Sequence, residues 1–255
     1  LSLRRQRQMC IRDSATADQL AAKVGTSRTS VIRTAKALGY DGYQHLRVAL
    51  TQEIAQRPQP LPDADSTHVG RMSAEIASFS NYLRGLTALL DEQELASTVA
   101  ALSSAKRVLV VGNGLSAPLA QTTALRLSSI GRPAEFVGEA MGQHIAATQL
   151  DSECVCLVIS GSGATTLTLN AATAAEKTGA TIIALTSFTS SPLAELSAYT
   201  LVIPSPDGTF RAELADASRV AFLLILEALV TLVDSHLENV EARRTCLLYT
   251  SDAAD

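Results

Sequence analysis

The chain has 255 residues, 47% of them hydrophobic and 18% charged, and a formal net charge of −4. That apolar fraction is typical of a soluble globular protein, and the length suits a small domain plus one of ordinary size. The longest apolar candidate for a membrane span, Val220 to Val233, is too short and is interrupted by Glu227, which excludes a helical membrane protein.

The two ends read as foreign sequence. Back-translating Arg4 to Asp13 as CGT CGG CAG CGT CAG ATG TGT ATA AGA GAC produces a reverse complement that, one base out of frame, encodes Cys-Leu-Leu-Tyr-Thr-Ser-Asp-Ala-Ala. With the next base on each side this reproduces Cys246 to Asp255. Such DNA looks like a transposon-type sequencing-library adapter. Residues 1–14 and 246–255 are therefore expected to be translated adapter and are set aside from fold reasoning, and the gene fragment inside is expected to be truncated at both ends. The basic amino terminus is then no signal peptide. Of the four cysteines, Cys154 and Cys156 remain. They are expected to alternate along one strand, point to opposite faces and stay unbridged, and no His/Cys cluster offers a metal site. The expected location is a reducing cytoplasm.

Charge divides by segment. Residues 15–57 hold six basic and three acidic residues, a net of +3, whereas residues 58–245 hold eleven and nineteen, a net of −8. A basic head on an acidic body points to a polyanion partner for the head alone.

The head has a helix-turn-helix rhythm over residues 15–57. Thr16 caps a first helix with Leu20, Ala21 and Val24 on one face, and Gly25 ends it. Ser27 starts a second, with Val31, Ile32, Ala35 and Leu38 inward and Gly39 as its stop. Its outward residues Arg28, Thr29, Ser30, Arg33, Thr34 and Lys36 are hydrogen-bond donors without an acid among them. With Ser27 at the first turn, they suit a helix lying in a DNA major groove. A third helical stretch runs from Tyr43 to Ala55, with Leu46, Ala49, Leu50 and Ile54 as its stripe. Pro58, Pro60 and Pro62 then make an extended spacer, placing a linker over 58–68 and a second domain over 69–240.

Beyond the linker, helix and strand alternate. Helices near 70–90 and 92–104 lead to a strand at 107–111; a helix from Pro118 to Ile130 leads to a short strand from Ala134 to Val137. A helix over 140–149 is followed by a strand at 154–159, a helix at 165–178 and a strand from Thr181 to Thr186. A helical turn at 191–196, a strand from Thr200 to Ile203 and a long helix from Ala212 to Leu237 complete the series. Strands made of continuous Val, Ile and Leu are covered on both faces, so the expected fold class is a three-layer α/β sandwich around a parallel sheet.

Two strand ends share one build. Val108 to Val111 opens into Gly112-Asn113-Gly114-Leu115-Ser116-Ala117, and Val155 to Ile159 opens into Ser160-Gly161-Ser162-Gly163-Ala164-Thr165. A strand that ends in small residues and feeds a helix directs backbone N–H groups and hydroxyls at one spot, where the helix dipole favours an anion. Two such loops at the carboxyl ends of one sheet predict a pocket for a phosphorylated small molecule.

The pair GNGLSA and SGSGATT, followed by IIALTSFTSSPLAELSAYTLVIP and ASRVAFLLILEAL, resembles the sugar isomerase (SIS) domain as it occurs in the RpiR family of bacterial transcriptional regulators. The stretch ADQLAAKVGTSRTSVIRTAKALGYDGYQHLRVAL resembles that family's helix-turn-helix domain, so the likeness covers nearly all of residues 15–237. It implies a flavodoxin-like SIS fold and a phosphosugar-responsive regulator that binds operator DNA as a homodimer or homotetramer, with no cofactor and no membrane association. The family's phosphosugar-binding hydroxyls would fall on Ser116, Ser160, Ser162 and Thr165, with the backbone of Gly112, Asn113, Gly114 and Gly163 completing the cradle. The chain departs from the family pattern ahead of Thr16, where further helices are usual. It departs again at Gly161 and Thr166, where acidic or bulkier residues are frequent, so no sugar preference carries over.

Two other functions compete. An aldose–ketose isomerase needs a general base, for which Glu213 and His144 are the candidates; a first-turn acid complementing a helix dipole and a surface helix residue are the plainer accounts of them. A nucleotide-binding dehydrogenase is formally matched by Gly112-x-Gly114-x-x-Ala117, with Glu135 about 20 residues on as a ribose-binding acid. Pro118 directly after that motif, and the second loop on another strand, argue against it. The expected mechanism is ligand-gated DNA binding, in which a phosphosugar changes the packing between SIS domains and so the spacing of two recognition helices.

Overall fold

The computed structural model describes residues 17–38, 40, 42–43, 46, 67–203 and 219–237. These fall into two units divided between Asp91 and Glu92.

In the first unit α1 spans Ala17–Val24 and α2 spans Arg28–Ala37. Gly25 adopts φ +69°, and the Thr26 N–H donates to the Ala21 carbonyl at 2.9 Å, which closes α1. The Ser27 hydroxyl accepts from the Ser30 N–H at 3.1 Å, so the predicted cap is in place. Ala21, Val31 and Tyr43 form the buried centre, with Leu20, Ile32 and Leu46 packed against it. Val24 and Leu38, predicted to face inward, are exposed instead, at 61% and 62%. Each stands at or beyond the last turn of its helix, past the contact between the two. The rest of the expected third helix, most of the linker and Glu213 lie outside the described residues. α3, His68–Leu83, starts at Thr67, whose hydroxyl accepts from the Gly70 N–H at 3.0 Å. A short 3-10 turn follows at Leu86–Leu89.

The second unit is built on five parallel strands: β1 Val108–Gly112, β2 Ala134–Phe136, β3 Val155–Ile159, β4 Thr181–Thr186 and β5 Tyr199–Val202. Their order is β2-β1-β3-β4-β5. Every residue of β1 and β3 is buried, as a sheet covered on both faces requires. The helices are α4 Glu92–Ser104, α5 Ala117–Ser129, α6 Ala140–Ala147, α7 Thr166–Lys177, α8 Pro192–Leu196 and α9 Val220–Ser235.

Pleating sorts the strand residues between the layers. Leu109, Val111, Cys156, Val158, Ile182 and Ala184 pack with Ala147 of α6, Leu193 of α8 and the alanines of α7. Ala171, Ala172 and Ala175 are fully buried there, and their small side chains let α7 lie close to the sheet. The alternate strand residues face the opposite layer, where α5 packs on β1 and β2, α4 on β5, and α9 on both α4 and α5. One expectation is corrected here: Cys154 and Cys156 do not point to opposite faces. They belong to one cluster, because residues two apart on a strand share a side. Both thiols are free and buried, and burial pushes Cys156 up to about 12.

The strands and the helices between them lie within a few residues of the expected bounds, with β1 extended to Gly112 and β5 begun at Tyr199. The helix expected near 70–90 ends earlier, at Leu83, and of the one expected from Ala212 the described residues show Val220–Ser235. No helix among the described residues is long and apolar enough to cross a membrane.

Candidate functional site

From β1 the chain crosses to β2 on one side, and from β3 it proceeds to β4 on the other. The strand order therefore reverses between β1 and β3, and such switch points leave a crevice at the carboxyl ends of the strands. β1 and β3 pair in register, with Gly112 opposite Ile159, so the two Gly/Ser loops that follow them emerge side by side.

Each glycine of the first loop has a separate reason. A β-carbon at Gly112 would lie 2.8 Å from the Ser116 carbonyl oxygen, so the turn into α5 closes only over a hydrogen atom. Gly114 has open space around it but holds φ +57°. The turn Gly114–Ser116 carries Ser116 to the start of α5, where it is 4% exposed and its hydroxyl caps no backbone N–H. Pro118 sits in the first turn of α5, where a missing N–H costs nothing.

The second loop is held from below. Gly161 accepts at its carbonyl from the Thr186 hydroxyl at 3.1 Å and from the Ser187 N–H at 2.9 Å, both at the end of β4. The Gly163 carbonyl accepts from the Leu193 N–H at 3.0 Å, and Gly163 itself has φ +62°. The buried Ser160 hydroxyl accepts from the Gly163 N–H at 3.2 Å, which gives it a local structural duty. Ser162 and Thr165 bring their hydroxyl oxygens to 3.5 Å of each other, and Ser162 Oγ also accepts from the Ala164 N–H at 3.3 Å. Thr165 is exposed at the N-cap of α7 and makes no capping bond. The opening N–H groups of α7 therefore have no side-chain cap, a favourable place for an anion.

The Asn113 side chain is otherwise engaged. Its Nδ2 donates to Gln143 Oε1 at 3.1 Å and to Thr168 Oγ1 at 3.0 Å, which leaves the backbone as this residue's contribution to a cradle. Gln143, Thr168, Thr186 and Ser191 are buried polar supports of the loops that sequence reasoning did not single out. The only local signal for Gln143 was a polar residue on the sheet-facing side of α6.

The rival readings meet specific obstacles. His144 turns away from the loops into a cleft of 420 Å³ between α6 and α7, lined also by Thr148, Thr173 and Lys177, and its Nδ1 lies 3.2 Å from the Asn170 carbonyl. Glu135 pairs with Arg107 beside the opening of β1, in the wall of a 440 Å³ cleft at the amino-terminal edge of the sheet. That is the end opposite to where a dinucleotide ribose would lie. At the β2 carboxyl end stands Glu139, whose oxygens accept from the Met141 and Gly142 N–H groups at 2.9 and 2.8 Å. These bonds hold its carboxyl below the ordinary 4.5 and make it a poor base. Among the described residues no group of three or more His, Cys, Asp or Glu side chains could hold a metal ion.

On the first unit, Thr29, Arg33 and Lys36 form one exposed stripe of α2 at helical spacing. Arg28 is also exposed, but its guanidinium bonds Asp18 of α1 at 3.1 Å. The pair is more than half exposed on both sides, so a phosphate oxygen can displace it at little cost. Ser27 and Ser30 bond each other at 3.0 Å as part of the cap, and the Thr34 hydroxyl donates to the Ser30 carbonyl at 2.9 Å.

Residues 101–233 match the SIS domain family, and residues 3–57 match the helix-turn-helix domain of the rpiR family. An HTH-type transcriptional regulator from Caldanaerobacter subterraneus subsp. tengcongensis is 31% identical over 220 residues, covering 85% of this chain and 77% of that protein. The Vibrio vulnificus NanR protein, solved in complex with ManNAc-6P, superimposes with a TM-score of 0.65 at 25% identity, covering 98% of this chain and 90% of that one. Phosphoheptose isomerase GmhA from Neisseria gonorrhoeae shares the fold at a TM-score of 0.53 and 18% identity, covering 66% of this chain and 99% of that one.

Proposed function

The chain belongs to the RpiR family of transcriptional regulators, which join a helix-turn-helix domain to a SIS domain, and from that premise we propose that its SIS unit senses a phosphorylated sugar in the crevice between the β1 and β3 loops. The observation that carries this reading is the pairing of two different donor sets at one switch point. Ser116 offers a nearly buried, uncapped hydroxyl on one side, and Ser162, Thr165 and the uncapped start of α7 stand on the other. Hydroxyls and amides that converge at helix N-termini hold a phosphate dianion without a lysine or arginine. The solved NanR complex with ManNAc-6P supports the same ligand class.

The α2 stripe of Thr29, Arg33 and Lys36, with Ser27, Arg28, Ser30 and Thr34 beside it, reads operator DNA in this proposal. The working protein is a cytoplasmic homodimer or homotetramer. Support for self-association comes from α9, where Val220, Leu223, Leu224 and Leu232 are 38–48% exposed on a helix whose other face is core. Ligand bound at the switch point then alters the geometry between copies and the spacing of their recognition helices.

A sensor is favoured over an isomerase because the SIS unit is joined to a helix-turn-helix domain, which a plain isomerase has no use for, and because His144 faces an outer cleft. The test is a thermal-shift screen of the whole chain against hexose, pentose and amino-sugar phosphates beside NAD(H). The expected result is a rise in melting temperature with a sugar phosphate and none with NAD(H); a rise with NAD(H) alone overturns the reading. Turnover of the stabilising sugar phosphate into an isomer would establish the enzyme instead.

A further inference from the structure

We infer that the Gln143 carboxamide is a positioning strut that sets the separation of the two ligand loops, so that neither loop changes its geometry without the other. The inference rests on the ligand reading above and adds to it a residue that touches no ligand.

Gln143 is completely buried on α6. Its Nε2 donates to the Val137 carbonyl at 2.8 Å, just past β2, and to the Gly112 carbonyl at 3.1 Å, the last residue of β1. Its Oε1 accepts from Asn113 Nδ2 at 3.1 Å, and the other hydrogen of that Nδ2 goes to Thr168 Oγ1 at 3.0 Å. Thr168 is 2% exposed in the first turn of α7, directly behind Thr165. Four segments thus meet on two amides: the β1 end, the β2 end, α6 and the anion-facing turn of α7.

Donor accounting leaves this network no freedom. A primary amide has two N–H donors, and both amides have used theirs. Flipping Gln143 would set its oxygen against two carbonyl oxygens, so its orientation follows from its partners. In a buried setting each unmade bond is costly, because water cannot replace it. A displacement of the β1 loop therefore pulls on the first turn of α7 through Asn113, and a displacement of α7 pulls on the β1 loop in turn. A phosphate held by α7 and a sugar held by the β1 loop are consequently measured against a fixed span.

The test uses the whole chain and two measurements. In Gln143→Leu, affinity for the stabilising sugar phosphate should fall at least tenfold at temperatures well below unfolding. In Gln143→Glu the ionised carboxylate has no donor for Gly112 or Val137, while its protonated form regains one. Its affinity relative to wild type at the same pH should therefore improve as pH drops from 8 to 5; the ratio cancels the titration of the ligand itself. Thr168→Val should weaken binding and Thr168→Ser restore it, which keeps the test valid if the Gln143 variants fold poorly. Both Gln143 variants binding within twofold of wild type would overturn the inference, as would Thr168→Val binding like Thr168→Ser. Amide hydrogen exchange without ligand supplies the second measurement. Residues 113–117 and 166–169 should lose protection together in Gln143→Leu, and loss confined to 113–117 would overturn the strut. If wild type binds no sugar phosphate at all, the ligand reading falls, and exchange still decides whether the strut exists.

Discussion

Gly163 lies directly against Ser191: a β-carbon added at Gly163 would come within 2.6 Å of the Ser191 Cβ and 2.9 Å of Thr186 Oγ1. The loop after β3 is thus seated on the ends of β4 and α8, and its φ of +62° adds a second demand for glycine. Gly163→Ala should destabilise the fold by about 2–4 kcal/mol, summing the left-handed backbone cost and overpacking. Gly179→Ala is the comparison, since Gly179 has φ +83° but only an ordinary contact with Ser152 at 3.7 Å. It should cost about 1 kcal/mol. Urea denaturation of both variants checks the difference, and equal losses would show that the Ser191 contact is irrelevant.

Ser116 and Ser162 should separate ligand binding from stability. Replacing either with Ala should weaken sugar-phosphate binding by roughly 1–3 kcal/mol, the range for a lost charge-assisted hydrogen bond. Their melting temperatures should stay close to wild type, since Ser116 caps nothing and the two bonds of Ser162, to the Ala164 N–H and the Thr165 hydroxyl, are both long. Calorimetric titration beside thermal unfolding makes the comparison. Unchanged affinity in Ser162→Ala would remove that residue from the site.

Arg33→Ala and Lys36→Ala should weaken binding to a duplex selected from a random library. Removing a side chain that neutralises one DNA phosphate should also flatten the log–log salt dependence by about one. Arg28→Ala should weaken binding as well, because its exposed pair with Asp18 yields readily to a phosphate. Sugar-phosphate affinity should be untouched in all three. Fluorescence anisotropy over a salt series is the measurement, and parallel loss of both affinities would refute separate modules.

Acid should act partly through Asp151. The Cys154 thiol, the Glu153 N–H and the Lys106 ammonium hold its carboxyl below the ordinary 3.8. Lys106, at 3.1 Å from Asp151 and 3.3 Å from Glu153, is raised above 10.5 by the same contacts. A depressed acid stabilises the fold above its unfolded value and loses that contribution as pH falls through the folded one. A raised amine contributes below 10.5 and loses its contribution as pH rises past the folded value. The cluster therefore supports the fold across the neutral range and fails at both extremes. The groups are exposed, so the effect is small. Denaturation midpoints of Asp151→Asn should fall less than wild type between pH 5 and 3, and identical profiles would exclude Asp151 as a contributor.

Much of the architecture was legible in the residues. Continuous apolar runs at Val108–Val111 and Val155–Ile159, each ending in Gly and Ser, carry both the parallel sheet and the loop chemistry, because burial on two faces and the turn into a helix are local demands. The Ser27 cap and the Gly25 stop were legible for the same reason. Glu135 was ambiguous: its place in the chain formally suited a ribose-binding acid, a reading the neighbouring residues already argued against, and only the sheet shows it paired with Arg107 at the far edge. Gln143 was missed because a buried polar residue leaves no periodic mark, and its partners Asn113 and Gly112 stand 30 and 31 residues away.

Sequence alone determined that this protein has a helix-turn-helix segment, a parallel α/β domain and two anion-suited loops, since helix caps, strand runs and glycine turns are set by residues within a few positions of one another. The strand order decided the rest. By placing β1 beside β3 and sending the chain in opposite directions from them, it brought the two loops side by side and laid the Gln143 amide against Gly112 and Asn113. That outcome depends on which strands pair across long chain separations, a choice made by packing of the whole sheet and written in no single segment.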